Sequence, residues 1–238
     1  MYNYIINDKI NLDIYLNINI NHFILKGLLL CLMIKILLIN LNEILLYGKG
    51  THKKCYVHPN NKGLCIKLPY NDDGKDDILR EIDYMRILEK RKKNYEILPQ
   101  YYGIVETNLG SGYVFEIIRD YNGNKCKTLE DFITSPSLFT ENFNLIVNML
   151  KKLKNELYNN EIITMVLFPE NILFQKISEV EYRIRIVNDM GSAVLIPLEY
   201  YISYFAHAKI SRRWVKFLDV LKTKYNSPLT EKLIEELK

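Results

Sequence analysis

Four side chains carry most of the chemistry this sequence offers. Lys67 lies in the alternating run Leu64-Cys65-Ile66-Lys67-Leu68, and Glu81 lies in a segment of helical period. Asn171 closes Pro169-Glu170-Asn171, and Asp189 opens Asp189-Met190-Gly191. A lysine ammonium held at one place needs a carboxylate partner, and Glu81 is the candidate. Asparagine and aspartate oxygens are the donors a hard divalent cation takes. Ahead of all four stands Gly48-x-Gly50, where the missing Cβ atoms let backbone amides approach a phosphate. Each feature alone has an ordinary reading: a hairpin turn, a surface lysine, a capping asparagine, a bend. Their order along the chain gives them weight.

The elements that must position these residues can be read from hydrophobic period. Ile36–Tyr47 is aliphatic and β-branched, which predicts a strand ending at Gly48-Lys49-Gly50. Cys55-Tyr56-Val57 predicts a second strand, and His58-Pro59-Asn60-Asn61-Lys62-Gly63 a turn. The third strand places Leu64, Ile66 and Leu68 on one face, with Cys65 and Lys67 on the other. After a polar loop over Asn71–Asp77, the steps Ile78, Ile82, Met85 and Leu88 predict a helix, with Glu81 beside the apolar stripe and able to face the sheet. Tyr101–Glu106 and Gly112–Ile118, joined through Asn108-Leu109-Gly110-Ser111, complete an antiparallel sheet of about five strands. Phe143, Ile146, Leu150, Leu153 and Leu157 then mark an amphipathic helix. Ile162–Phe174 reads as an apolar loop with a short strand, Tyr182–Val187 as another strand, and the 47 residues after Gly191 as two or three helices.

Composition narrows the class. The chain has 238 residues, 48% hydrophobic and 25% charged, with only 10 Gly and 7 Pro, which excludes collagenous and disordered classes. Lys and Arg number 32 against 28 Asp and Glu; a net charge of +4 does not mark a nucleic-acid binder, and none is expected. Cys31, Cys55, Cys65 and Cys126 form no C-x-x-C pair, so a reduced, cytoplasmic chain is expected. Residues 1–22 are a low-complexity alternation of Asn with Ile, Tyr and Leu, and Phe23–Ile39 is apolar but interrupted by Lys26 and Lys35. That pattern fits neither a signal peptide nor a transmembrane span of about 20 apolar residues, and residues 1–32 read as an extension ahead of a functional chain starting at Met33. The clusters Lys90-Arg91-Lys92-Lys93 and Arg212-Arg213 are solvated helix faces or contacts for an anionic partner. Trp214 and Phe217 read as core.

A glycine hairpin, a strand lysine, a helix glutamate, a P-E-N after a long helix and a D-x-G after a strand occur in the order used by protein-kinase-like folds. The chain more closely resembles the YrbL family, the proteins named for the PhoP regulatory network and grouped with those folds. The resemblance rests on Gly48 to Pro59, Leu64 to Lys67, Arg80-Glu81, Tyr102 to Val114, Ile163-Thr164-Met165, Asn171-Ile172-Leu173 and Leu195 to Leu198, and spans about residues 42–217. It implies an α+β, two-lobed, protein-kinase-like fold: a small antiparallel-sheet N-lobe over 33–118, a hinge near Ile117–Tyr121, and a reduced helical C-lobe over 119–238. It also implies an ATP and Mg²⁺ site in which Gly48, Gly50, Lys67 and Glu81 serve the nucleotide while Asn171 and Asp189 hold the metal.

The departures from the kinase pattern are as informative. Where the pattern reads H-R-D-L-K-P-E-N, this chain reads Thr164-Met165-Val166-Leu167-Phe168-Pro169-Glu170-Asn171, so Val166 stands at the catalytic aspartate and no catalytic residue can be assigned. General-base help contributes typically ~10²–10⁴-fold, whereas positioning and metal electrostatics carry most of phosphoryl transfer. Its loss argues against fast transfer and leaves ATP binding intact. Lys53 occupies the place of the third glycine, where its backbone covers phosphates less closely and its side chain is expected to add charge, and no A-P-E follows Gly191. The expectation is a pseudokinase-like regulator whose Mg·ATP-bound state is read by a protein partner. The alternative is an atypical phosphotransferase acting on a small molecule or glycan, with Asp120, Glu170 or a substrate group as base. A membrane-attached structural protein using Phe23–Ile39 is the third reading, and membrane attachment is not expected.

Overall fold

The computed structural model describes residues 38–238, so residues 1–32, the proposed start at Met33, most of Phe23–Ile39 and Cys31 lie outside the described part. Strand β3 (Asn61–Pro69) is the middle of a five-stranded antiparallel sheet, with β1 (Leu46–Lys49), β2 (Lys53–His58), β4 (Tyr101–Thr107) and β5 (Gly110–Glu116) in the order β1-β2-β3-β5-β4. Alternation along β3 sends its two faces to different places. Ile66 and Leu68 pack with Leu41, Tyr56 and Val114 in a small cluster, while Cys65 joins the main core with Tyr113 and Phe115 of β5. Lys67 shares the Cys65 face and is only 6% exposed.

Helix α1 (Asp72–Lys90) covers that second face through Ile78, Ile82, Met85 and Leu88, and Glu81 falls within the same buried stripe. The helix starts earlier than the polar loop expected over Asn71–Asp77. The Asn71 side chain accepts the Gly74 N–H at 3.0 Å, and Asp72 and Asp73 sit at the positive end of the helix dipole. The strand expected over Ile36–Tyr47 also needs correction. Its described part makes a single bridge from Ile39 to Thr107, then a 3₁₀ turn over Glu43–Leu45, and becomes a strand only at Leu46. Asn42 causes the interruption, because its side chain accepts the N–H groups of Ile44 and Leu45 and so bends the chain.

Ile117 and Ile118 continue buried from β5, and the connector is hydrogen-bonded at both ends, Ile117 N–H to Gly63 O and Tyr121 N–H to Lys176 O. Beyond it come a three-stranded sheet in the order β6-β7-β8 and five helices. The strands are β6 (Lys127–Thr128), β7 (Ile172–Lys176) and β8 (Tyr182–Ile186). The helices are α2 (Leu129–Ile133), α3 (Pro136–Glu141), α4 (Phe143–Asn159), α5 (Ser203–Lys224) and α6 (Pro228–Leu237). On α4 the buried residues Ile146, Leu150, Leu153 and Leu157 recur as the sequence period requires. Trp214 and Phe217 of α5 are core residues, and Trp214 Nε1–H reaches Leu237 O at 3.2 Å, tying the last helix down.

A single apolar core runs from α1 and β5 through β7 and β8 into α4 and α5. Polar ties reinforce it. Arg185 of β8 donates to Glu116 at the end of β5 at 2.6 Å and to Leu98 O at 3.2 Å. Arg91 and Lys93, counted among the basic cluster, instead hold the buried Glu161, which also accepts from Ser203 at 2.7 Å. After Gly191 the chain is fastened by Glu199, whose carboxylate accepts from Lys209 at 2.5 Å and from Ser192 at 2.7 Å. Thus the 47 residues after Gly191 form two α-helices and one 3₁₀ turn, Leu198–Tyr200.

The start of α1 presses on the β1–β2 hairpin. A Cβ on Gly74 would lie 2.2 Å from the His52 carbonyl oxygen, a backbone atom that cannot step aside. Alanine normally stabilises a helix relative to glycine. Here Gly74→Ala should lower stability by about 1–3 kcal/mol in urea unfolding, as overpacking does. A Gly74→Ala protein as stable as wild type would contradict this packing.

Candidate functional site

The carboxylate of Glu81 is the centre of the site, and it is 1% exposed. Its Oε2 accepts Lys67 Nζ at 2.8 Å. Its Oε1 accepts Lys53 Nζ at 3.0 Å and the backbone N–H of Asp189 at 3.1 Å. Period explains the meeting: Lys67 is on the α1-facing side of β3, and Glu81 is in the sheet-facing stripe of α1. Lys67 also donates to Asn188 Oδ1 at 3.3 Å, and its ammonium lies 4.4 Å from the centre of the Phe115 ring.

Burial sets the electrostatics. Desolvation pushes the Glu81 carboxyl upward, but Lys67 and then Lys53 outweigh it and hold the group at about 2. Desolvation likewise opposes the charge on Lys67, and Glu81 overcomes it, leaving the ammonium above its ordinary value. Lys53 is less favoured: burial and the neighbouring Lys67 together bring it below the usual lysine range.

Asn171 and Asp189 meet on the far side of the same carboxylate. Asn171 ends the 3₁₀ turn Pro169–Asn171, and its Nδ2 donates to Asp189 Oδ2 at 2.9 Å. Asn188 Nδ2 donates to Asn171 Oδ1 at 3.2 Å. Asn188 and Asp189 have φ of 65° and 58°, the left-handed region that asparagine and aspartate tolerate best among residues with side chains. This twist lets Asn188 point to Lys67 while Asp189 points to Asn171. Burial and then the Glu81 charge raise the Asp189 carboxyl above its ordinary value. Among the described residues, no group of three or more His, Cys, Asp or Glu gathers as a metal cluster.

Gly48 and Gly50 lie on the rim. Gly48 pairs with Cys55, and Gly50 N–H closes the hairpin onto Lys53 O at 2.9 Å, so that amide is committed within the loop. The hairpin is pinned to α1 by His52, whose Nδ1 lies 2.7 Å from Asp77 Oδ2 and whose carbonyl accepts the Tyr70 N–H at 2.9 Å. A cavity of about 1250 Å³ opens beneath it, lined by Gly48, Gly50, Lys53, Lys67, Asn171 and Asp189 among others. That space is ample for a small-molecule ligand, whose pockets run about 300–1,000 Å³.

All six residues singled out from the sequence therefore converge, with Glu81 behind the cavity wall and the other five lining it. Two further residues take part. Lys53, which the sequence offers as added charge in place of a third glycine, is bonded to Glu81, and Asn188 reads in sequence only as part of a bend; nothing in local period announces a contact between Lys67 and Asn188, 121 positions apart. Of the proposed substitute bases, Asp120 does not line the cavity, and its carboxylate accepts the Lys176 N–H at 2.9 Å. Glu170 does line it, with a side chain 43% exposed. The half-buried Val166 follows Met165, whose N–H donates to Asp189 O at 2.7 Å.

The family described as "PhoP regulatory network protein YrbL" matches residues 39–222. This chain belongs to the YrbL family. It is 37% identical over 183 residues to YrbL of Escherichia coli strain K12, covering 76% of this chain and 87% of the relative, and it matches YrbL of Shigella flexneri to the same extent. The YrbL match takes in both sheets and every residue of the cleft described above. No helix among the described residues is long and apolar enough to cross a membrane.

Glu81 should contribute to acid stability alongside the similarly held Glu161. A carboxyl held at about 2 in the folded chain stabilises fully above its ordinary range near 4, and that contribution drains away as pH falls towards 2. Glu81→Gln strands two buried ammoniums and should cost about 3–5 kcal/mol at pH 7. Urea midpoints measured from pH 7 down to pH 3 should fall more gently in Glu81→Gln than in wild type; parallel curves would rule out this role.

Proposed function

We propose that the protein is a kinase-like, Mg·ATP-binding regulator of pseudokinase type, cytoplasmic, whose bound state is read by a protein partner. In this reading residues 33–118 form the sheet lobe, 119–238 the reduced helical lobe, and the cleft between them takes the nucleotide. The observation that carries it is the convergence of Lys67, Glu81, Asn171 and Asp189 on one cavity. Lys67, held by Glu81, presents an ammonium to the α and β phosphates. Asp189 and Asn171 are adjacent; once Asn171 gives up its bonds to Asp189 and Asn188, its amide oxygen and the Asp189 carboxylate would be the donors that hold Mg²⁺, and the half-buried Asp189 carboxyl gains from a neighbouring cation. The metal neutralises phosphate charge when bound.

The regulator reading rests on what stands at the reaction point. Val166 brings no proton acceptor, and Phe168 brings an apolar ring to the cavity wall. Between Gly191 and α5 there is only one 3₁₀ turn, which leaves little platform for a peptide acceptor. One observation favours the alternative, an atypical phosphotransferase for a small molecule or glycan: Glu170 is exposed at the cavity edge, 3.9 Å from Lys224 Nζ, and offers a carboxylate as base.

Melting the protein with and without Mg·ATP tests the reading. A ligand at 100 times its dissociation constant adds about 2.7 kcal/mol. Wild type should gain that stability, Lys67→Met should not, and Asp189→Asn should lose the part that depends on Mg²⁺. No gain in wild type refutes nucleotide binding. Label passing from ATP to an acceptor in cell extract, and lost in Glu170→Gln, would replace the regulator with the phosphotransferase.

A further inference from the structure

We propose that Lys53 is a second phosphate-binding ammonium of the cleft, docked on Glu81 until a polyphosphate enters and then turning to it. This inference rests on the nucleotide reading above. It starts from register. Lys53 opens β2 opposite Pro69, and Cys55 stands opposite Lys67, so Lys53 lies diagonally across from Lys67 on the same face of the sheet. Both ammoniums reach one carboxylate, on different oxygens, and both side chains line the cavity.

The two contacts are not equivalent. Lys67 is enclosed by Glu81, Asn188 and the Phe115 ring. Among the described residues Lys53 Nζ bonds to Glu81 alone, and it comes from the hairpin that roofs the cavity. Its departure leaves Glu81 satisfied, since Oε2 keeps Lys67 and Oε1 keeps the Asp189 N–H. Burial and the nearby Lys67 both disfavour the Lys53 charge, and an incoming anion removes that penalty.

The hairpin also needs the help. Glycine loops hold phosphates with backbone amides. Here Gly50 N–H is already bonded to Lys53 O, and the His52 carbonyl and ring are tied to Tyr70 and Asp77. An ammonium on a four-carbon stem supplies from the side chain what the committed Gly50 amide cannot. The ligand class is a nucleoside di- or triphosphate, whose terminal phosphates lie within reach of two cations.

The test is affinity measured by calorimetry for ATP, ADP and AMP, each with Mg²⁺, in wild type, Lys53→Met and Lys53→Arg. Lys53→Met should lose about tenfold for ATP, less for ADP and nothing for AMP, as one charge-assisted contact implies. Its loss should also flatten the salt dependence of ATP binding, and Lys53→Arg should keep the preference for more phosphates. If wild type binds ATP and Lys53→Met weakens all three nucleotides equally, or none, the inference fails while the nucleotide reading stands. A Lys53→Arg protein that loses its ATP preference also overturns it. If wild type binds none of the three, both fall together. A Lys53→Met protein that no longer folds, beside a folded Lys53→Arg without phosphate preference, counts against it, because Lys53 would then be only a structural partner of Glu81.

Discussion

One buried carboxylate decides how this molecule is put together. Glu81 sits beneath the sheet, where desolvation alone would leave it protonated, and two ammoniums and a backbone amide keep it charged. Each partner comes from a different part of the chain: β2, β3 and the turn after β8. A charge in low dielectric needs a partner on each of its oxygens. The arrangement therefore specifies more than it stabilises, because α1, the hairpin and the Asn188-Asp189 twist must all be in register for any of them to be.

Other ties carry that register outward. Arg185 links β8 to the end of β5, and Glu161 gathers Arg91, Lys93 and Ser203 next to the chain leading into the 164–171 loop. Tyr84 belongs to both α1 and this loop: its hydroxyl donates to Glu161 O and accepts the Ile163 N–H, and its ring packs 4.8 Å from that of Tyr200. These contacts hold the residues around the cavity in place.

Period made much of this legible. Alternation in β3 placed Lys67, and the 3.6-residue repeat of α1 placed Glu81, so their pairing followed from two local patterns. The glycine hairpin and the positions of Asn171 and Asp189 followed from motif order. What escaped was side-chain capture of backbone. Asn42 broke a strand that its aliphatic neighbours favour, and Asn71 started a helix inside a stretch that reads as polar loop. Abundant asparagine hides such caps, because its frequency makes each one unremarkable. The Lys53–Glu81 contact was equally hidden, since a lysine at a strand end looks solvated until the tertiary fold closes over it. Asp120 was misjudged for a related reason: a carboxylate in a polar turn looks free, yet this one ties the turn to the end of β7 by accepting the Lys176 amide.

The attachment of the β1–β2 hairpin to α1 bears on how that hairpin can move. With the His52 ring on Asp77, its carbonyl on the Tyr70 amide and Gly74 packed against it, the roof of the cavity shares the rigidity of the helix beneath. Lifting the hairpin would break all of these ties at once, so hairpin and helix form one mechanical piece.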